Sequence, residues 1–311
     1  MQLILHHYDF SSFSEKVRLV LGYKRLDWFA VEIPAIEPKP DYTPLTAGYR
    51  RTPALQIGAD IYCDTHLICS VLDELAPTPS LYPGAAPAHA RACAEALVAW
   101  AEQQLFWPCA LYITGRHAAR FPLAFHLDRA RLHGRPAPSV AQVERSAAKY
   151  LPQARQRLEC LEDLLREDRA FVMGDEPGLV DFALYEAPWF VRRIGGDDEP
   201  LLADLPRLHG WMERVAAIGH GTMTPLTASA ALAVARASTP RGVPRNDYVA
   251  PEGVAIGDRV TVTPFDEIAP ATGTLAAIDA RRLSVHAQSE RAGAVVVHFP
   301  RLGYRVSRTR I

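Results

Sequence analysis

Thr52-Pro53-Ala54-Leu55-Gln56-Ile57-Gly58-Ala59, followed by Asp60-Ile61-Tyr62-Cys63 and then Asp64-Thr65, packs a proline-started strand, a tight turn, a second strand and a helix cap into fourteen positions. A strand that begins with proline lacks a backbone N–H there, so neighbouring carbonyl and N–H groups stay available to an extended ligand. Leu55 and Ile57 alternate with Ala54 and Gln56 at the strand period of two, and Gly58-Ala59 supplies the turn. Asp64-Thr65 then caps a helix whose buried face carries Ile68, Val71, Leu72 and Leu75.

The chain begins with an apolar run, Leu3-Ile4-Leu5, that leads into Tyr8-Asp9-Phe10-Ser11-Ser12-Phe13-Ser14-Glu15-Lys16-Val17-Arg18. Ser12 and Glu15 have capping-box spacing, and Val17, Val20 and Leu21 give the next helix an apolar face. Ser11 is therefore expected just outside a helix N-terminus, where free N–H groups and the positive end of the dipole favour an anion.

These two stretches together resemble the glutathione transferase family. Ser11 to Arg18 is similar to the family's Ser-Pro-Phe-x-x-Lys-Val-Arg opening of its first helix, and Arg51-Thr52-Pro53 with Asp64-Thr65 to its glutathione-binding hairpin; the resemblance covers roughly residues 1 to 235. It implies a cis peptide bond before Pro53, pairing of the Thr52 backbone with the cysteinyl part of glutathione, and a γ-glutamyl site at Asp64 and Thr65. The chain departs from the pattern at Ser12, where proline is usual, and at Asp64, where glutamate or glutamine is usual.

The reaction the resemblance implies is attack of the glutathione thiolate on a small electrophile, with glutathione as co-substrate and no metal, in a detoxification setting and as a homodimer. A free thiol is mostly protonated at neutral pH, so the protein must stabilise the thiolate. A serine hydroxyl can donate to the sulfur without itself ionising. Ser11 is the first candidate, with Tyr8 as its rival because other branches of the family use a tyrosine near the end of the first strand. Arg51 is placed to meet the glycyl carboxylate. Phe106, Trp107, Tyr112, Arg116 and His117, on the later half of a long helix, are the expected electrophile pocket. A reductive branch would need a cysteine where Ser11 stands.

At 311 residues with a net charge of -1, the chain is long enough for two or three domains and lacks the basic excess of a dedicated nucleic-acid binder. No stretch of about 20 apolar residues spans a bilayer. The strand-like N-terminus has no basic and then apolar leader, and the five cysteines show neither pairing nor metal spacing, so the cytoplasm is the expected compartment. His6 and His7 are adjacent on a strand and point to opposite faces, which argues against joint metal ligation. The sequence offers no locally supported Ser-His-Asp arrangement.

Residues 1–76 read as an α/β thioredoxin-like layer, and the breaker-rich Ala76–Gly84 as a linker. Residues 85–238 read as an all-helical domain with long helices from Pro87 to His117, Val140 to Glu167 and Leu179 to Ile194. Asp181, three residues after Gly178, reads as a folding residue that reaches back to free N–H groups. After a proline-rich boundary at 240–251, five short β runs suggest a small SH3-like β-barrel over 250–311. That barrel is expected to fold discretely and to leave the glutathione site complete without it, with Val295, Val297 and Phe299 facing its core and Val296 and His298 pointing away. From Arg281 onward seven arginines face one acid, Glu290, the pattern of a solvated basic face or of a surface for an anionic partner. A non-catalytic scaffold that recruits a partner through the barrel is the competing reading.

Overall fold

A computed structural model describes residues 1–84, 87–166, 168–241, 251, 253–266 and 269–309. The N-terminal layer runs β1 (Ile4–His7), α1 (Ser12–Tyr23), β2 (Asp27–Glu32), β3 (Ala54–Ile57), β4 (Asp60–Cys63) and α2 (Thr65–Leu75). β1 lies parallel to β2 and antiparallel to β3, and β3 forms a hairpin with β4. Successive β1 residues pack on opposite sides: Leu3 and Leu5 meet the helices, while Ile4 meets a second core. Both faces of β1, β3 and β4 are buried, their polar side chains His6, Gln56 and Asp60 included.

The helical region contains α3 (Pro87–Trp100), a π-helical turn (Ala101–Leu105), α4 (Phe106–Arg116), α5 (Leu123–Leu132), α6 (Val140–Leu164), α7 (Leu179–Gly195) and α8 (Pro206–Ala216). α7 is the central rod, buried along nearly its whole length against α1, α3 and α4. Asp181 fastens its start: one carboxylate oxygen accepts from Val172 N–H at 3.0 Å and Trp211 Nε1–H at 2.9 Å, the other from Gly178 N–H at 3.0 Å. α1 crosses the turn at Gly219 so closely that a Cβ on Gly22 would lie 2.0 Å from the Gly219 carbonyl oxygen. Two elements escape the sequence reading here. The short β5 (Thr222–Pro225) adds to the outer edge of β2, and the alanine-rich α9 (Ala228–Ala237) covers the second face of the sheet.

The C-terminal strands are all present: β6 (Arg259–Pro264), β7 (Ala271–Ile278), β8 (Arg282–Ser289), β9 (Gly293–Pro300) and β10 (Tyr304–Arg308). They do not close into the expected SH3-like barrel. β9 pairs in parallel with β4, Asp60 to Tyr62 opposite Val296 to His298, so the added strands prolong the N-terminal sheet. The result is one open ten-stranded sheet in the order β10-β6-β7-β8-β9-β4-β3-β1-β2-β5 among the described residues. A strand whose two edges are both paired and whose two faces are both covered has no polar side. Val295, Val297 and Phe299 do enter the second core, but Val296 and His298 on the other face are buried too.

A polar chain locks this junction. His298 donates from Nε2 to Asp60 Oδ1 at 3.0 Å, its Nδ1 accepts from the Ser284 hydroxyl at 2.8 Å, and its ring stacks on Tyr62. Ser284, His298 and Asp60 therefore do form a Ser-His-Asp line, brought together from three strands, and all three are buried. The arginines of the tail are partly consumed in the same way, with Arg282 facing Glu74 at 3.6 Å and Arg291 paired to Asp41. Most of the proline-rich boundary and Arg310 lie outside the described residues.

Candidate functional site

A cavity of about 390 Å³ opens where the N-termini of α1 and α2 meet α4, α5 and α6. Ser11 is the N-cap of α1 itself, so the helix begins one residue earlier than the Ser12–Glu15 spacing suggests; Glu15 turns instead to Arg18 and His220. The Ser11 hydroxyl oxygen accepts from Ser14 N–H at 3.2 Å and from the Ser14 hydroxyl at 2.8 Å. Both bonds use its lone pairs, which leaves its own proton to donate to a ligand. The first N–H groups of α1, at Ser12 and Phe13, have no acceptor within the helix, and both residues line the same wall. This is a site for developing negative charge.

Thr52, Pro53, Asp64 and Thr65 line the opposite wall, and the Thr52–Pro53 peptide bond is cis. Asp64 caps α2, accepting from His66 N–H at 2.9 Å, with a left-handed φ of 78°. Arg51 also borders the cavity and pairs with Asp266, N to O 3.1 Å, in the loop after β6. Beside it stands a residue absent from the sequence-level candidates. Lys39, nearly fully buried, donates to Arg50 O at 3.0 Å and Thr52 Oγ1 at 2.9 Å. Burial, with Arg129 and Arg50 nearby and only partly offset by Glu37 and Asp128, lowers its ammonium to about 7. An anion arriving there would restore its charge. The signal for Lys39 was slight, a single lysine between Pro38 and Pro40 in a loop with no periodicity.

The other half of the cavity is aromatic. Phe106 and Trp107 line it, with Phe106 edge-on to Phe13 at 5.0 Å, and Phe10 and Phe125 add further rings. Tyr112 and Arg116 do not belong to it. On a helix of 3.6 residues per turn, Phe106, Trp107, Ala110, Leu111 and Thr114 share the cavity side, whereas Tyr112 and Arg116 fall on the far side. There Tyr112 donates to Glu199 Oε1 at 2.8 Å, and Arg116 and His117 approach Glu199 Oε2, each at 3.3 Å. This cluster fastens α4 to the segment after α7. Its place on the aromatic side of the cavity is taken by α5, whose Arg129 stacks over Phe125 at 4.6 Å and donates to the Tyr8 hydroxyl at 3.2 Å. α5 lacks a clear apolar stripe, which is why pattern alone missed it.

Behind the cavity, Lys16 lies between Glu102 and Glu186, 2.9 Å from the latter. Burial pushes the Glu186 carboxyl up to about 8 against the pull of Lys16, and Glu102, on the cavity wall, is the second carboxyl beside the lysine. No cysteine lines the cavity among the described residues. Burial pushes the Cys69 and Cys109 thiols up to about 12 and raises Cys63 as well, the opposite of an activated nucleophile. His6 bonds to Gln56 and His7 to Arg18, on separate faces of β1. Among the described residues no group of three His, Cys, Asp or Glu is placed to hold a metal ion, and no helix is long and apolar enough to cross a membrane.

Residues 5–80 match the family model of the glutathione S-transferase N-terminal domain, and residues 140–214 that of the C-terminal domain. A solved GST-like protein from Pseudomonas syringae is 34% identical over 99% of each chain, with a TM-score of 0.78. FzlA from C. crescentus is 25% identical, with 69% of this chain and 88% of that one covered and a TM-score of 0.52. A glutathione S-transferase from Sinorhizobium meliloti 1021 shares the fold at 20% identity, 70% and 89% coverage and a TM-score of 0.53. The full-length match includes the C-terminal strands, whereas the other two cover about seven-tenths of the length. No curated protein matches the chain.

Proposed function

Because the chain belongs to the glutathione S-transferase family, we propose that it transfers the thiolate of glutathione to a small aromatic electrophile. The observation that carries this reading is the Ser11 hydroxyl, which accepts two bonds at the N-terminus of α1 and has its own proton left for a sulfur in a cavity half polar and half aromatic. The polar half suits the tripeptide. Thr52 beside the cis bond offers backbone groups to an extended chain, Asp64 and Thr65 receive the γ-glutamyl end, and Lys39 and Arg51 provide positive charge for the glycyl carboxylate. Phe10, Phe106, Trp107 and Phe125 hold the electrophile next to the sulfur.

Catalysis in this scheme is electrostatic. The Ser11 donor and the unpaired first-turn N–H groups stabilise thiolate more than thiol, which lowers the thiol pKa and raises the nucleophile's population at neutral pH. Tyr8, whose hydroxyl already accepts from Arg129, is held as the second donor candidate. Ser11→Ala is expected to lower kcat/KM toward an activated aryl chloride by about 10²-fold, the scale of losing one aimed donor, with glutathione affinity retained. Tyr8→Phe should change it by less than about threefold. Unchanged turnover in Ser11→Ala would remove the serine from this role.

A non-catalytic binding role on the same scaffold is the second reading, motivated by the appended strands and by Ser12 and Asp64 at positions where the family differs. Titration calorimetry separates the two: submillimolar glutathione binding favours the enzyme, and absence of heat at several millimolar leaves the scaffold.

A further inference from the structure

Tyr304, on β10, reaches the glutathione wall from behind. It does not line the cavity; it is buried against Tyr49 and Phe299, with ring centroids 6.2 and 5.5 Å away. Its hydroxyl donates to Asp64 Oδ2 at 2.9 Å. A phenol has one proton, so in the 2.5 Å contact between the Tyr304 and Tyr49 hydroxyls Tyr49 is the donor. The bonds form a directed chain from Tyr49 to Tyr304 to Asp64, in which each polarises the next. A carboxylate held at one oxygen still turns about its broad terminal torsion. With Oδ1 on the His66 N–H and Oδ2 on Tyr304, the Asp64 plane is fixed, and the residue lines the cavity.

We propose that Tyr304 is a positioning residue for the thiol co-substrate: it orients the Asp64 carboxylate to receive the ammonium of the γ-glutamyl group, which makes the appended strands a working part of the binding site. This rests on the glutathione reading above. It corrects the expectation of a site complete without the tail, and it accounts for the shorter acid at position 64, because a preoriented Asp loses less freedom on binding than a mobile longer one. The Arg51–Asp266 pair shows the same tail touching the other end of the wall.

Tyr304→Phe keeps the packed ring and removes only the hydroxyl. In the full-length protein, glutathione Kd by calorimetry and glutathione KM are expected to rise about tenfold, the worth of one charge-assisted hydrogen bond. kcat at saturating glutathione and KM for the aryl chloride stay within twofold. In an Asp64→Ala background the same change should move Kd by less than twofold, a non-additivity that general loosening of the fold would not produce. Equal Kd for Tyr304→Phe and the unsubstituted protein, or fully additive losses, overturns the proposal and leaves the glutathione reading standing. An unsubstituted protein that gives no heat with glutathione overturns both. If Tyr304→Phe does not fold, Tyr49→Phe, one step back in the chain, is expected to raise Kd about threefold, and no change there overturns the proposal equally.

Discussion

Asp60 and Asp64 stand four residues apart at the two ends of β4, and each is held by a ring from the strands beyond residue 250. His298 grips Asp60 and Tyr304 grips Asp64. The two arrangements use similar chemistry but differ in access. Asp60 is sealed: its oxygens are taken by His298 and by the Arg241 N–H at 2.9 Å, and neither it nor Ser284 nor His298 lines the cavity. Asp64 forms part of the cavity wall. A Ser-His-Asp line without room for a substrate at the serine is a structural lock, whereas a capping aspartate on an open cavity wall can meet a ligand. The comparison shows that the donor and acceptor pattern alone does not define a site; the space in front of it does.

Removing the sealed carboxylate should give the largest effect. Asp60→Ala leaves the buried Nε2–H of His298 and the chain N–H at Arg241 unmatched, and is expected to cost about 3 kcal/mol in urea unfolding, with the glutathione Kd of the folded protein unchanged. A Kd that weakens in step with stability would break the distinction between the two ends of β4.

Acid should act on the lock before it acts on the site. Burial lowers the His298 pKa and holds His6 down to about 4, so both are neutral in the native state at neutral pH. The unfolded chain takes up these protons near 6.5, so the stabilisation is complete above that pH and is lost below it, for His6 down to about 4. His6 alone contributes on the order of 3 kcal/mol over that window. Urea unfolding at pH 7 and pH 4.5 in the unsubstituted protein and in His6→Gln isolates the histidine contribution; the same pH dependence in both would refute it. The buried Glu186, raised to about 8, acts in the opposite direction as pH rises.

The smallest effect sharpens the open end. Lys39 is half neutral near pH 7 in the empty site, so binding of a carboxylate there takes up a proton above that pH. Glutathione affinity should weaken by up to about tenfold per pH unit between 7 and 8.5. Lys39→Met should bind more weakly at pH 6.5 and lose most of this slope. A slope that survives the substitution would assign it to another group.

Much of the site was legible before the fold was known, because its parts are local. Asp64-Thr65 declares its helix cap in the chain, whereas at α1 the Ser12–Glu15 spacing pointed one residue too late and Ser11, read as just outside the helix, is itself the cap. Thr52, Pro53 and Arg51 come with the same hairpin. Phe106 and Trp107 were legible only as aromatics on a helix, and the helix register that separates them from Tyr112 and Arg116 depended on where Glu199 was placed by a later segment. Lys39 and Arg129 sit in a loop and on a helix without periodicity, and nothing in the chain announced that they would converge.

By itself the sequence determined the hairpin that opens at Pro53, the helix cap at Asp64 and the five C-terminal strands, since these follow from short-range spacing and turn chemistry, whereas the cis bond before Pro53 was implied only by the family resemblance. Tertiary structure alone decided that β9 joins β4 and not a closing partner within its own five strands. A β edge presents the same unpaired N–H and C=O groups to any strand, so pairing between distant edges is settled by which faces bury together. In this chain Val295, Val297 and Phe299 share a core with Ile4, Ala54 and Ile61, and that common burial carries Tyr304 to Asp64.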